Sequence, residues 1–177
     1  MKVALPTVLL VTMLLLFGCS DPETDSINET IEENNEKISE NAEANSAIQT
    51  VHSLDDAKAQ LAQDWAVQEP TEIPDGYSLL DYYVYDKDLI EIRYSQSDNQ
   101  NELYYRTSRR HGDISGNSHP YTNVETISSE TIDQIQVRGS DDLWMVATWN
   151  KDDIAYSIFC EKGLSQDALT AMIDSIQ

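Results

Sequence analysis

Cysteine is scarce in this chain. There are two, Cys19 and Cys160, and a membrane anchor read below takes the first. That leaves Cys160 without a partner and rules out an internal disulfide in the mature body. Cys160 sits in an apolar strand pattern, the setting of an inert buried thiol rather than a nucleophile. Basic residues are scarce too: 11 Lys and Arg stand against 32 Asp and Glu, for a net charge of -21. Such a chain repels nucleic-acid phosphates and anionic headgroups, so nucleic acid is excluded as a partner. Catalytic signatures are missing as well. No serine is framed as a nucleophile elbow and there is no glycine-rich phosphate loop. Asp86-Lys87-Asp88 lacks the glycine and distal glutamate of a calcium loop. The three histidines, His52, His111 and His119, show no zinc spacing. No catalytic residue, metal ligand or cofactor is assigned.

What is present begins with Lys2 and an almost unbroken apolar run, Val3 to Phe17. At about fifteen residues it has the length of a secretory signal core and falls short of the roughly twenty needed to span a bilayer. Pro6 also argues against a spanning helix. The run ends Leu16-Phe17-Gly18-Cys19, which resembles the lipobox of bacterial lipoproteins. The resemblance implies cleavage after Gly18 and lipidation of Cys19, whose thiolate is the nucleophile for acyl-glyceryl transfer. Residues 1–18 are therefore expected to be a lipoprotein signal peptide. The mature protein is expected to be held by lipid on the outer side of the cell membrane, since more than one acyl chain gives stable attachment.

Residues 19–50 read as an acidic, low-complexity tether. From Ser20 to Thr50 there is no aromatic residue and one basic residue, Lys37. Too little apolar surface is available to offset the entropy of ordering. Ile31, Ile38 and Ile48 fall near heptad spacing, but the asparagines interleaved with them are poor seam residues.

Residues 51–177 read as the folded body. Ser53 caps a helix carrying Leu54, Ala57, Leu61 and Trp65 on one face, ended by Pro70. Ile73-Pro74-Asp75-Gly76-Tyr77 reads as a turn with Pro74 at its first central position. The period then switches to two. Strands are expected at Tyr77–Tyr85, Leu89–Ser95, Glu102–Arg109, Glu130–Arg138, Leu143–Trp149 and Ile154–Glu161, with a wet face carrying Glu91 and Arg93. Arg110 to Tyr121 reads as loop, and Asp141-Asp142 and Asp152-Asp153 as turn residues. Ser165 caps a closing helix with Leu169, Met172, Ile173 and Ile176 as its stripe. The expected fold is α+β: one antiparallel sheet of about six strands with both helices packed on one face.

Several of these segments, Ile73-Pro74-x-Gly76-Tyr77, Leu103-Tyr104-Tyr105-Arg106, Val137-Arg138-Gly139 leading to Ala147-Thr148-Trp149, and the closing Met172-Ile173-Asp174-Ser175-Ile176, resemble the DUF4367 family. Its domains occur on lipoproteins and behind the membrane span of anti-sigma factors. The resemblance covers Asp55 to Gln177, implies the extracytoplasmic α+β body, and carries no catalytic residues.

Tyrosines concentrate in the first three strands. Core packing accounts for them, yet with nearby arginines they also form a candidate ligand or partner surface: Tyr83, Tyr85, Arg93, Tyr105, Arg106, Arg109 and Arg110. The leading expectation is a lipid-anchored, non-enzymatic binding or sensing domain for an envelope protein, peptide or other ligand. One alternative is an accessory of envelope signalling that contacts a membrane regulator. A third reading, a metal-dependent enzyme using His111, His119 and Asp113, is outweighed by solvated loop histidines.

Overall fold

The structure is a computed structural model and describes residues 48–97 and 101–176. The signal segment, Cys19 and residues 19–47 of the tether lie outside the described residues. Among the described residues no helix is long and apolar enough to cross a membrane.

Eight strands form one sheet: β1 Ile48–Val51, β2 Tyr77–Tyr85, β3 Leu89–Gln96, β4 Glu102–Ser108, β5 Asn123–Ile127, β6 Ile135–Ser140, β7 Leu143–Lys151 and β8 Ile154–Leu164. Two helices accompany them, α1 Leu54–Ala59 and α2 Gln166–Asp174. Every strand pair is antiparallel, and the order across the sheet is β1-β2-β3-β4-β8-β7-β6-β5. The sheet is thus two meanders, β1–β4 and β5–β8, joined where β4 pairs with β8.

The expectation of about six strands is corrected to eight. Ile48–Thr50, placed in the tether, pair with β2 opposite Tyr85 to Tyr83. β5 has no alternation to mark it, because this edge strand has little buried surface, and Val124 is 66% exposed. The strand expected from Glu130 starts at Ile135 instead. Residues 129–132 form a turn, where the Asp174 carboxylate of α2 accepts from the backbone N–H of Thr131 at 2.9 Å.

The first helix is also shorter than its apolar spacing suggests. Ser53 caps it as expected, its Oγ accepting from Asp56 N at 3.1 Å. It ends at Ala59, and Ala62 N donates instead to Lys87 O at 2.8 Å. Trp65 is buried, but on an irregular segment rather than a helix. That segment lies against the sheet: Tyr105 Oη donates to Gln68 O at 2.9 Å, and Tyr82 Oη to Glu69 at 3.0 Å. The turn before β2 is offset by one residue. Tyr77 N donates to Pro74 O, so Asp75 and Gly76 are the central pair, with Gly76 at φ +84°.

The strand pleat sends Ile90, Ile92, Tyr94, Leu103, Tyr105 and Ile158 to one face. There they meet Ala57 of α1 and Leu169, Met172 and Ile173 of α2 in a single apolar core. Both helices therefore pack on the same face. Cys160 is fully buried there as a free thiol. The hairpin turns are tight, as their aspartates suggested. Asp86 and Lys87 have φ of 50° and 60°, and Asp152 and Asp153 have 52° and 61°.

Two adjacent like charges in left-handed backbone are a poor choice for a two-residue turn that favours Asn-Gly. Replacing Asp152-Asp153 by Asn-Gly is expected to stabilise the body by about 1 kcal/mol, read as a raised urea midpoint at unchanged slope.

Candidate functional site

The order of strands dictates what lies on the other face. β4 ends at the sheet centre and β5 begins at its edge, so residues 109–122 must pass over β8, β7 and β6. At about 4.8 Å per strand that is roughly 19 Å, an easy reach for a loop of this length. The loop is fastened along its middle, residues 113–117, from β4 and from β6. Ile114 packs on Leu89 and Ala155 in a small second apolar cluster. Arg106 of β4 donates through Nη1 to Ile114 O at 3.1 Å. Arg138 of β6 donates through Nη2 to Asp113 Oδ2 at 2.7 Å, Ser115 Oγ at 3.3 Å and Asn117 O at 3.2 Å. Gly116, at φ +66°, passes over the Arg106 guanidinium so closely that a Cβ would collide with it.

Beside this crossing lies a fully buried carboxylate, Glu91. Arg93 Nε binds its Oε1 at 2.6 Å, Arg106 Nε binds its Oε2, and Tyr85 Oη donates to Oε1 at 2.9 Å. Arg93 also donates to Tyr85 Oη at 3.0 Å and lies 3.9 Å over the Tyr83 ring. Tyr104 stacks on Phe159 in the same layer. Burial alone would depress Arg93, but the Glu91 carboxylate outweighs it and keeps the guanidinium charged. The Tyr85 phenol is raised, first by burial and then by Glu91. The alternation of β3 marked Glu91 as solvent-facing; it is enclosed because its face is covered by these side chains.

Four residues of the sequence-derived surface do share this face: Tyr83, Tyr85, Arg93 and Arg106. Tyr105 does not. It pairs with Ile92 and is fully buried in the core on the opposite side, because adjacent residues of a strand cannot share a face with each other. Tyr104 takes its place. Arg110 binds Asp86 and Asp88 at the β2–β3 turn, away from the cluster, and Arg109 is exposed. The arginines are thus largely engaged by the chain's own carboxylates. Asp113, wanted by the metal reading, is bound by Arg138, and His119 rests edge-on against Tyr121. Among the described residues no three His, Cys, Asp or Glu side chains gather as a metal site.

Unspent capacity lies further along the face. A groove of about 440 Å3 is lined by Gly112 and Asp113 of the loop, Val124 of β5, Gln134, Gln136 and Arg138 on the β6 side, and Thr148, Trp149 and Asn150 of β7. That volume falls within the range of small-molecule sites, roughly 300–1,000 Å3. Gln136 and Thr148 are direct cross-strand neighbours, as are Val124 and Arg138. A smaller cavity, about 290 Å3, opens at the edge of the core and is lined largely by core residues such as Ile132, Ile154 and Ile173. Of the groove residues, Asp113 alone is a sequence-derived candidate, and the polar positions of the β6 and β7 alternation are the trace of the others.

Residues 67–176 match the family described as "Domain of unknown function (DUF4367)". No curated protein and no solved structure matches the chain.

Two outcomes follow from the Glu91 layer and its phenols. Glu91→Ala strands two partly buried guanidinium groups and is expected to cost about 3 kcal/mol in urea unfolding, well beyond the loss from Arg110→Ala at the surface. The phenols set the alkaline limit. Burial and Glu69 push Tyr82 up to about 12, and burial raises Tyr94, Tyr104 and Tyr105. Unfolded phenols ionise near pH 10, so the folded state holds protons that the unfolded state has lost. Their stabilisation is whole below about pH 10 and disappears as pH rises through the folded values. The urea midpoint should therefore fall steeply above about pH 10, with phenolate absorbance appearing together with unfolding.

Proposed function

We propose that this chain, which belongs to the DUF4367 family, is a lipid-anchored, extracytoplasmic binding module without catalytic activity of its own. Cys19 carries the lipid, the acidic tether holds the body off the membrane, and the loop-roofed groove on β6 and β7 takes the ligand. The groove carries this reading. Among the described residues it is a concave site of small-molecule size whose polar side chains are mostly unspent. Its single lining carboxylate, Asp113, is bound to Arg138, which leaves amides and a hydroxyl to recognise a ligand and no free base to transform one. The Glu91 layer supports the groove by fastening β3, β4 and the loop.

Two measurements test the two halves of this proposal. Cys19→Ser should release the protein from the membrane fraction and leave it at its longer, uncleaved size; unchanged membrane retention and size would refute the anchor. A photo-crosslinking residue at Gln136 should capture a cellular component that the same residue at Lys58, on α1, does not. Identical adducts from both positions would refute the groove as the binding site.

A further inference from the structure

We infer that the groove binds an uncharged, hydroxyl-rich saccharide; this deepens the binding reading and rests on it. The first observation is hydrogen-bonding capacity. Among the described residues, the side chains of Gln134, Gln136, Thr148 and Asn150 make no hydrogen bond, although all four line the same groove. Arg138 uses Nη2 alone to hold the loop, and its Nε and Nη1 donate to none of the described residues. Each amide offers both a donor and an acceptor, and the threonine hydroxyl does the same. A ligand rich in hydroxyl groups, each both donor and acceptor, uses both kinds together. A purely apolar ligand would bury them unsatisfied at a cost.

The second observation is charge. The chain carries -21 overall, yet the charged side chains lining the groove are one arginine and one aspartate, paired at 2.7 Å. The groove is therefore electrically neutral within a strongly acidic molecule. An anion would meet the repulsive field of the whole protein with its one cation already neutralised. A cation would find no free carboxylate in the lining. A neutral polar solute pays neither penalty.

The test titrates the full chain in detergent micelles with three neutral trisaccharides: tri-N-acetylchitotriose, maltotriose and mannotriose. Binding is read by calorimetry, as heat that saturates with added saccharide. Saturable binding of at least one, weakened about tenfold in the double variant Gln136→Ala/Asn150→Ala, is the expected result. Both side chains are exposed, so the variant should keep the wild-type circular dichroism spectrum and urea midpoint. If none of the three binds at millimolar concentration, or if binding is unchanged in the variant, the saccharide inference is overturned. Saturable, variant-sensitive binding of a neutral acetylated peptide without saccharide binding would overturn it too, while upholding the groove as a binding site. Absence of any ligand together with identical crosslinks at Gln136 and Lys58 would overturn both.

Discussion

The pairing of β4 with β8 is the constraint on which the rest depends. It joins two meanders into one sheet and places the end of β4 four strands from the start of β5. A connection must then cross a sheet face. The opposite face is already taken by α1, α2 and the irregular segment between α1 and β2. The crossing covers part of the remaining face, and the groove lies along its edge, with Gly112 and Asp113 in its wall. Without the long connection, the β6–β7 surface would be an open, wet half of an antiparallel sheet.

Covering a face that carries charges creates an electrostatic problem, and the side chains around Glu91 answer it. A lone buried carboxylate would be costly. Two arginines and a tyrosine hydroxyl surround this one, and one of those arginines also holds the loop backbone at Ile114. Arg138 repeats the arrangement from β6, with Asp113 as its counter-charge. The loop is thus held by cations rooted in the sheet, and the apolar contribution comes mainly from Ile114. An overall acidic chain places several of its few arginines where backbone carbonyls and buried carboxylates need them.

Legibility in the sequence followed how local each feature is. The strands at 77–85, 89–96 and 102–108 show an alternation that depends only on their own residues, and both helix caps are matters of a few consecutive positions. β5 has little buried surface to leave a pattern, and β1 looked like the end of an acidic tether. Strand order is non-local and left no local trace. Parity puts Tyr83 and Tyr85 on one face of β2, and the register with β3 brings Arg93 to the same face. The same rule forbids Tyr105 from joining Arg106. Alternation separates the two faces of a strand but does not report what covers each one, so the pattern of β3 assigns Glu91 to a wet face that the fold encloses. The groove leaves no distinct signal in sequence, because amides and hydroxyls on a sheet face look like ordinary solubility.

The position of β1 has a mechanical consequence. The chain enters the body at one edge of the sheet, while the groove occupies strands at the other. Seven strand spacings of about 4.8 Å separate β1 from β5, roughly 34 Å. Tension arriving through an N-terminal attachment would load the four residue pairs between β1 and β2 first. That short ladder would peel before strain reached β6 and β7. A pull on the chain ahead of Ile48 would therefore open that edge while the pairing of β6 and β7 stayed intact.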